Sequence, residues 1–318
     1  MASGRWPPHY GMQFTNTLHQ KAEGPTLPEN NPSPGYIVVV TGAGKGLGVY
    51  ISLAYARAGV TGICISSRTQ GDLDALEKQL AEVNPKLEIL SSICDTTKPE
   101  AVKSLAEQVR QKWKGRLDVV VANAGVISEY VYDVDPETGE KSNRRLPRGI
   151  VEDDDFQRVI DINLLGSYYV AKYFTPILVA PENPSAVRSY IVMTSLASQL
   201  TQSNFVPTAY NVAKLANNRM VEHMAEDHKA QGLLAFAVHP GAVLTPQTEH
   251  HSTQKGDAWD TLMSEDIGLC GGWLTWLTKE RRDWLSGRYL AVTWDVDELQ
   301  AKKDEIVKED KLKFKMTV

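Results

Sequence analysis

The stretch from Gly35 to Ala58, GYIVVVTGAGKGLGVYISLAYARA, restricts the fold more than any other part of the chain. Tyr36 to Val40 is an unalternated, largely β-branched run too short for a helix, which predicts a central strand buried on both faces, as in parallel sheets. The period then changes. Leu47, Ile51, Ala54, Tyr55 and Ala58 recur at helical spacing, and Gly59 stands where a helix C-terminal glycine belongs. Between strand and helix lie Gly42, Gly44, Gly46 and Gly48, which clear side chains from the point where the first helical N–H groups point outward with partial positive charge. That is an anion site, and phosphate is its natural occupant. The spacing is not G-x-G-x-x-G, because Leu47, Val49 and Ile51 stand where a third glycine is required. A Walker A loop is excluded too, since Lys45 precedes its glycine and is followed by Gly46 and Leu47.

The same alternation continues. Strands are predicted at Thr61–Ser66, Leu87–Cys94, Leu117–Ala122, Val187–Thr194, Leu233–Val238 and Tyr289–Val292. Helices separate them: one with Leu73, Leu76, Leu80 and Val83 on its inner face, one capped by Thr97 with Pro99 in its first turn, and others over 153–179, Thr208–Ala230 and Ser264–Thr278. Strict β/α alternation with right-handed crossovers predicts a Rossmann-type, doubly wound α/β domain: one seven-stranded parallel sheet with helices on both faces. Domain boundaries are expected at 1–35 for a proline-rich arm without regular structure, 36–295 for the sheet domain, and 296–318 for a charged helix, Asp297–Lys308, with an extended end. Two excursions interrupt the domain: 126–150, a solvated loop or small hairpin, and a polar lid over about 241–266.

Open parallel sheets bind ligands beyond the carboxyl ends of their strands, so the residues following each strand form a set. After the second strand come Ser67 and Arg68, where an NAD-specific fold would place a carboxylate. Arg offers a planar fork suited to a 2′-phosphate, and Lys45 adds a second charge, so NADP(H) is expected. Asp95 follows the third strand and suits either an adenine amino group or a helix cap. Asn123-Ala124-Gly125 follows the fourth, with Gly125 letting backbone pass close to a ligand. Tyr210 and Lys214 lie one turn apart on one helix face, after a strand that ends at Ser195, and Asn163 lies in the preceding long helix. A spacing of Tyr-x-x-x-Lys alone is commonplace on helix surfaces; its weight here comes from position.

Thr41 to Gly48 (T-G-x-x-x-G-x-G), Asn123-Ala124-Gly125, Asn163, Ser195, Tyr210-x-x-x-Lys214 and Pro240-Gly241 occur in the order found in the short-chain dehydrogenase/reductase family, which the chain resembles over roughly 36–295. The resemblance implies an NADP(H)-dependent carbonyl reductase, or the reverse secondary alcohol dehydrogenase, with Asn163, Ser195, Tyr210 and Lys214 as the catalytic set. Tyr210 would exchange a proton with the substrate oxygen, Ser195 would hold that oxygen, and Lys214 would lower the phenol pKa and contact the nicotinamide ribose. Asn163 would position a water linking Lys214 to solvent. Gly42, Gly44, Lys45, Gly46, Leu47, Gly48, Ser67, Arg68, Asp95, Asn123, Ala124, Gly125, Tyr210, Lys214, Pro240, Gly241, Val243 and Thr245 are the expected coenzyme contacts. A fifteen-residue interval between Ser195 and Tyr210 is wider than the family's common spacing, so the intervening loop must bulge. A homodimer or homotetramer through the helices carrying Asn163 and Tyr210 is also implied.

Composition sets the remaining expectations. The net charge of -5 is spread along the chain, which argues against a nucleic-acid partner and for no anionic membrane surface. No apolar run is long enough to span a bilayer, and the first residues lack a secretory pattern. Cys64, Cys94 and Cys270 make neither a disulfide framework nor a zinc spacing, which predicts a reducing, cytoplasmic compartment. His250 and His251 read as polar lid residues rather than metal ligands, and Trp273, Trp276 and Trp284 as core or subunit contact. Val243, Leu244, Trp259 and Leu262 would make the lid apolar enough for a medium-sized carbonyl or alcohol. The competing reading is an NADP(H)-binding sensor, or a non-redox catalyst, on the same fold.

Overall fold

The computed structural model describes residues 7–185, 187–203, 205–248 and 263–316. Expectations placed on His250, His251, Trp259 and Leu262 lie outside them. Seven strands form one parallel sheet: β1 Ile37–Thr41, β2 Gly62–Ser67, β3 Glu88–Ile93, β4 Val119–Ala122, and, after a separate hairpin of β5 Val131–Val134 and β6 Lys141–Arg145, β7 Ser189–Met193, β8 Leu234–His239 and β9 Arg288–Ala291. The order across the sheet is β3-β2-β1-β4-β7-β8-β9, with Val39 pairing Cys64 on one side and Val120 on the other. Chain direction of winding reverses between β1 and β4, which opens a crevice at the carboxyl ends of those two strands.

Alternate side chains of each strand enter two cores. Val38, Val40, Ile63 and Ile65 face α1 (Leu47–Arg57), α2 (Gln70–Val83) and α7 (Gly268–Thr278), whereas Ile37, Val39 and Val120 face α3 (Pro99–Lys112), α5 (Gly166–Leu178) and α6 (Thr208–Asp227). All five β1 residues are buried, which is why its sequence shows no polar alternation. Trp273 and Trp276 are buried core residues, and Trp284 packs partly buried against the same core. Cys64, Cys94 and Cys270 are free and buried.

Four departures from the predicted elements have physical causes. Thr97 does not cap α3; Asp95 Oδ1 instead accepts from the Thr97 backbone N–H at 2.9 Å and hydroxyl at 2.8 Å, folding the turn before it. The long helix predicted over 153–179 is α4 (Phe156–Ile160), a π turn at Asp161–Leu165 and α5, and the π turn is where Asn163 is buried. The C-terminal helix is broken at Lys302 into α8 (Val296–Ala301) and α9 (Lys303–Lys308). The N-terminal arm carries three 3₁₀ turns, Pro8–Tyr10, Gly24–Thr26 and Pro28–Asn30, each opened by proline at its first or second position, and it lies on the sheet domain. At Gly272 of α7 an added Cβ would fall 2.5 Å from the Thr26 carbonyl oxygen, so glycine there permits the arm's close approach.

Candidate active site

The glycine turn is shaped by backbone contact. Gly42 has φ +64°, and an added Cβ would lie 2.7 Å from Ala124 Cα; one at Gly48 would lie 2.3 Å from the Gly42 carbonyl oxygen. Asn123 Nδ2 donates to the carbonyls of Thr41 at 3.0 Å and Gly42 at 3.1 Å, stitching the end of β4 to the turn. Gly46 has no side chain with which to cap α1; its carbonyl accepts from Val49 N at 3.2 Å, and the helix start faces the turn without a side-chain cap. This cradle, open where side chains would fill it, fits a coenzyme pyrophosphate.

The turn opens into a cavity of about 700 Å³ that reaches to Ser195, Tyr210 and Lys214. Of the site residues expected from sequence, all but Gly48 and Asn163 line it. Gly48 packs beneath the turn, and Asn163 sits one layer back: its Oδ1 accepts from Val126 N at 3.2 Å, and its Nδ2 donates to the carbonyls of Val126 at 2.8 Å and Val159 at 3.0 Å. Gly125 separates Asn163 from Lys214; an added Cβ would stand 2.7 Å from Asn163 Oδ1 and 3.4 Å from Lys214 Nζ.

At the far end, Ser67 closes β2 and Arg68 follows it, but Asp72 of α2 also enters the wall, its Cβ 2.9 Å from where a Gly44 Cβ would be. Lys45 Nζ lies 3.5 Å from Asp72 Oδ2. Burial opposes ionisation of Asp95, yet the Thr97 hydrogen bonds and the Arg68 charge outweigh it and hold the carboxyl below its usual range.

The reactive end is set by β7 and α6. Ser195 Oγ accepts from Ala197 N at 3.1 Å and so caps a 3₁₀ turn, Leu196–Gln199, which is how the chain bulges between Ser195 and α6. Pro207 leaves α6 without a cap of its own, and Asp153 supplies one from a distance, its Oδ2 accepting from Ala209 N at 2.8 Å. Sequence reasoning assigns Asp153 to its own helix; instead it orients the helix carrying Tyr210 and Lys214. Lys214 Nζ donates to Met193 O at 2.8 Å and lies 5.2 Å from the Tyr210 ring centroid. Burial lowers the Lys214 pKa to about 7. Burial also pushes the Tyr210 phenol up to about 12, with the Ser195 hydrogen bond acting in the opposite sense. Desolvation thus outweighs any lowering of the Tyr210 phenol by Lys214.

Sequence reasoning also missed His239, the last residue of β8, whose two ring nitrogens are buried without a partner among the described residues, and Glu265, which accepts from Ala242 N at 2.8 Å. Both line the cavity. The position of His239 immediately before Pro240-Gly241 was the available signal. Of the 126–150 excursion, only the stem residues Val126 and Ile127 join the wall; the hairpin stands away, its turn held by Asp135 Oδ1 accepting from Glu137 N and Thr138 N, each at 2.8 Å. Among the described residues no group of three or more His, Cys, Asp or Glu could hold a metal ion, and no helix is long and apolar enough to cross a membrane.

A doubly wound sheet with this turn and this tyrosine–lysine pair defines an oxidoreductase of CH–OH and C=O groups that uses a nicotinamide coenzyme. The short chain dehydrogenase family model matches residues 36–256, and the chain belongs to that family. It is similar to the short chain dehydrogenase pgmD of Aspergillus terreus, 38% identical over 98% of this chain and 96% of that protein. It is also similar to the short chain dehydrogenase citE of Monascus ruber, 30% identical over 98% and 99% of the two chains. Among solved structures, a 7α-hydroxysteroid dehydrogenase complexed with NADH and 7-oxo glycochenodeoxycholic acid matches with a TM-score of 0.66 and 20% identity over 83% of this chain and 95% of that one, a likeness of fold.

Proposed function

We propose that the protein is an NADP(H)-dependent carbonyl reductase, or the reverse secondary alcohol dehydrogenase, with Tyr210 as the group that exchanges a proton with the substrate oxygen. The observation that carries this reading is the meeting of Ser195, Tyr210 and Lys214 in the cavity that the glycine turn opens into. A bound nicotinamide coenzyme supplies or accepts the hydride at the carbonyl carbon. The Tyr210 phenol, protonated at neutral pH, donates to the carbonyl oxygen as negative charge grows there, and the Ser195 hydroxyl holds the same oxygen. Lys214, tethered to Met193 O, approaches the Tyr210 ring and supplies a positive charge whenever it is protonated, favouring the phenolate left behind. Asn163 spends both amide donors on backbone carbonyls and its Oδ1 on Val126 N, so its part is to hold Gly125 and Val126 against Lys214.

For the coenzyme, NADP(H) is favoured by Arg68 at the end of β2, which forms no ion pair among the described residues, and by Lys45, which partly offsets Asp72. The proposal extends to assembly as a homodimer or homotetramer. Following NADPH absorbance against a panel of ketones and aldehydes tests the reading; tight NADPH binding with no turnover of any carbonyl or alcohol would favour the sensor instead.

A further inference from the structure

The expected arm is a strap tied down on both sides of a short span, and that span reaches the catalytic cavity. Met12, Gln13 and Leu18 line the same cavity as Ser195 and Tyr210. On one side of the span, the fully buried Trp294 donates its indole N–H to Gly11 O at 3.0 Å. On the other, the Glu298 carboxylate accepts from Asn16 N at 2.6 Å and Thr17 N at 3.1 Å, and Asp295 Oδ2 lies 2.8 Å from His19 Nε2. Leu18 forms an antiparallel bridge with Trp294, and His19 N donates to Thr293 O at 2.8 Å.

Which end of the cavity the strap covers follows from its neighbours. The coenzyme end is built from the glycine turn, Ser67 to Asp72 and Asp95, whereas the 3₁₀ turn at Pro8–Tyr10 packs against the 3₁₀ turn that Ser195 caps. Gln20 O accepts from Asp266 N at 2.6 Å, which ties the strap to the stretch where Met263 enters the wall. The strap therefore borders the substrate end. There Leu200, Phe205, Val206 and Met263 offer apolar surface, and Leu18 keeps 41% of its own surface exposed. Strap and anchors both lie outside residues 36–256, which carry the family pattern.

We propose that Met12 and Leu18 are substrate-selecting residues, contacting the apolar body of a carbonyl substrate larger than a single ring, and that Trp294, Asp295 and Glu298 position them. This rests on the reductase reading for the orientation of the cavity. A small ketone would be held near Ser195 and Tyr210 without reaching the strap, while a fused bicyclic ketone extends to it.

The test uses the full chain with oxidised coenzyme, so that ketone binding is read by calorimetry without turnover, with cyclohexanone and trans-1-decalone as probes. Met12→Ala and Leu18→Ala are each expected to weaken decalone binding by about tenfold, the scale of a lost apolar pocket contact. Cyclohexanone and coenzyme affinities should stay within about twofold, since neither ligand reaches the strap. Leu18 is half exposed, so its truncation spares the fold; Glu298→Gln, which weakens an anchor without touching the cavity, should reproduce part of the decalone loss. Equal effects on both ketones, or none, would overturn the inference, as would a wild type that binds neither. A wild type that binds decalone yet never oxidises NADPH sinks the reductase reading alone, and the binding ratios still decide the role of the strap.

Discussion

The two ends of the cavity are built on different plans. The coenzyme end comes from a nearly continuous run, β1, the turn, α1 and β2, and it is fixed by backbone packed on backbone, as the 2.3 Å from a Gly48 Cβ to the Gly42 oxygen makes plain. The substrate end is gathered from the arm, the segment after Ser195, and the residues around Met263, which are side chains brought together from distant parts of the chain. Backbone-built recognition tolerates almost no substitution, because a new side chain there meets backbone. Side-chain recognition can be rewritten residue by residue, so selectivity belongs there.

The sharpest way to break this division is at the junction of the two ends. Tyr210→Phe should lower kcat/KM by about a thousandfold and weaken NADPH by no more than about tenfold, as expected of a group whose main work is the transferred proton and which is only one of many coenzyme contacts. Stopped-flow rates and coenzyme titration would check it; near-normal turnover by this variant would sink the proposed chemistry. Next in size is Gly42→Ala. With φ +64° and Ala124 Cα 2.7 Å from the new Cβ, it should destabilise the fold by about 1–3 kcal/mol and weaken coenzyme binding as well, measured by urea unfolding with and without NADPH. A variant of wild-type stability would show that the turn yields more easily than its contacts imply.

How much of each end was legible follows the same division. Strand, turn and helix at 36–58 could be read because local periodicity and glycine spacing encode them. Ser195, Tyr210 and Lys214 could be placed because each follows a recognisable strand. Asp72 could not: it lies on a helix face and meets Gly44 only when α2 packs beside the turn. Nor could Asp153, which looks like a local cap and serves α6 fifty-six residues away. The π turn around Asn163 has no periodic signature, since it differs from α-helix by one residue in hydrogen-bond register. The arm was unreadable for the same reason as the substrate end, its partners Trp294, Asp295 and Glu298 being at the other end of the chain.

Asp72 makes the coenzyme end worth a finer test. Arg68→Ala should weaken NADPH by about tenfold and leave NADH nearly unchanged, the loss of one charge-assisted contact to a phosphate that NADH lacks. Asp72→Asn should move preference the other way, toward NADPH, by removing the carboxylate beside that phosphate's expected place. Equal losses for both coenzymes in the Arg68 variant would place its role in shaping β2 rather than in reading the 2′-phosphate.

The smallest expected effect belongs to the substrate end and concerns how firmly the strap is held. His19 lies 2.8 Å from both Glu23 and Asp295, and these bonds outweigh its partial burial to raise its pKa above 6.5. Glu298, three residues further along in α8, holds the strap through the Asn16 and Thr17 N–H groups instead. A pKa raised by folding means the folded state binds the proton more tightly. The stabilisation is therefore full below about pH 6.5 and lost as pH rises through the raised value. It also fades at acid pH once Asp295, held below the usual carboxylate range, takes up a proton. With side chains about a fifth exposed the pair should contribute no more than about 1 kcal/mol. His19→Ala should then be less stable than wild type near pH 5.5 and match it near pH 9, and its loss of decalone affinity should follow the same pH course while coenzyme affinity does not. A deficit that is constant across this range would mean that His19 holds the strap by packing, and the substrate end would owe nothing to charge.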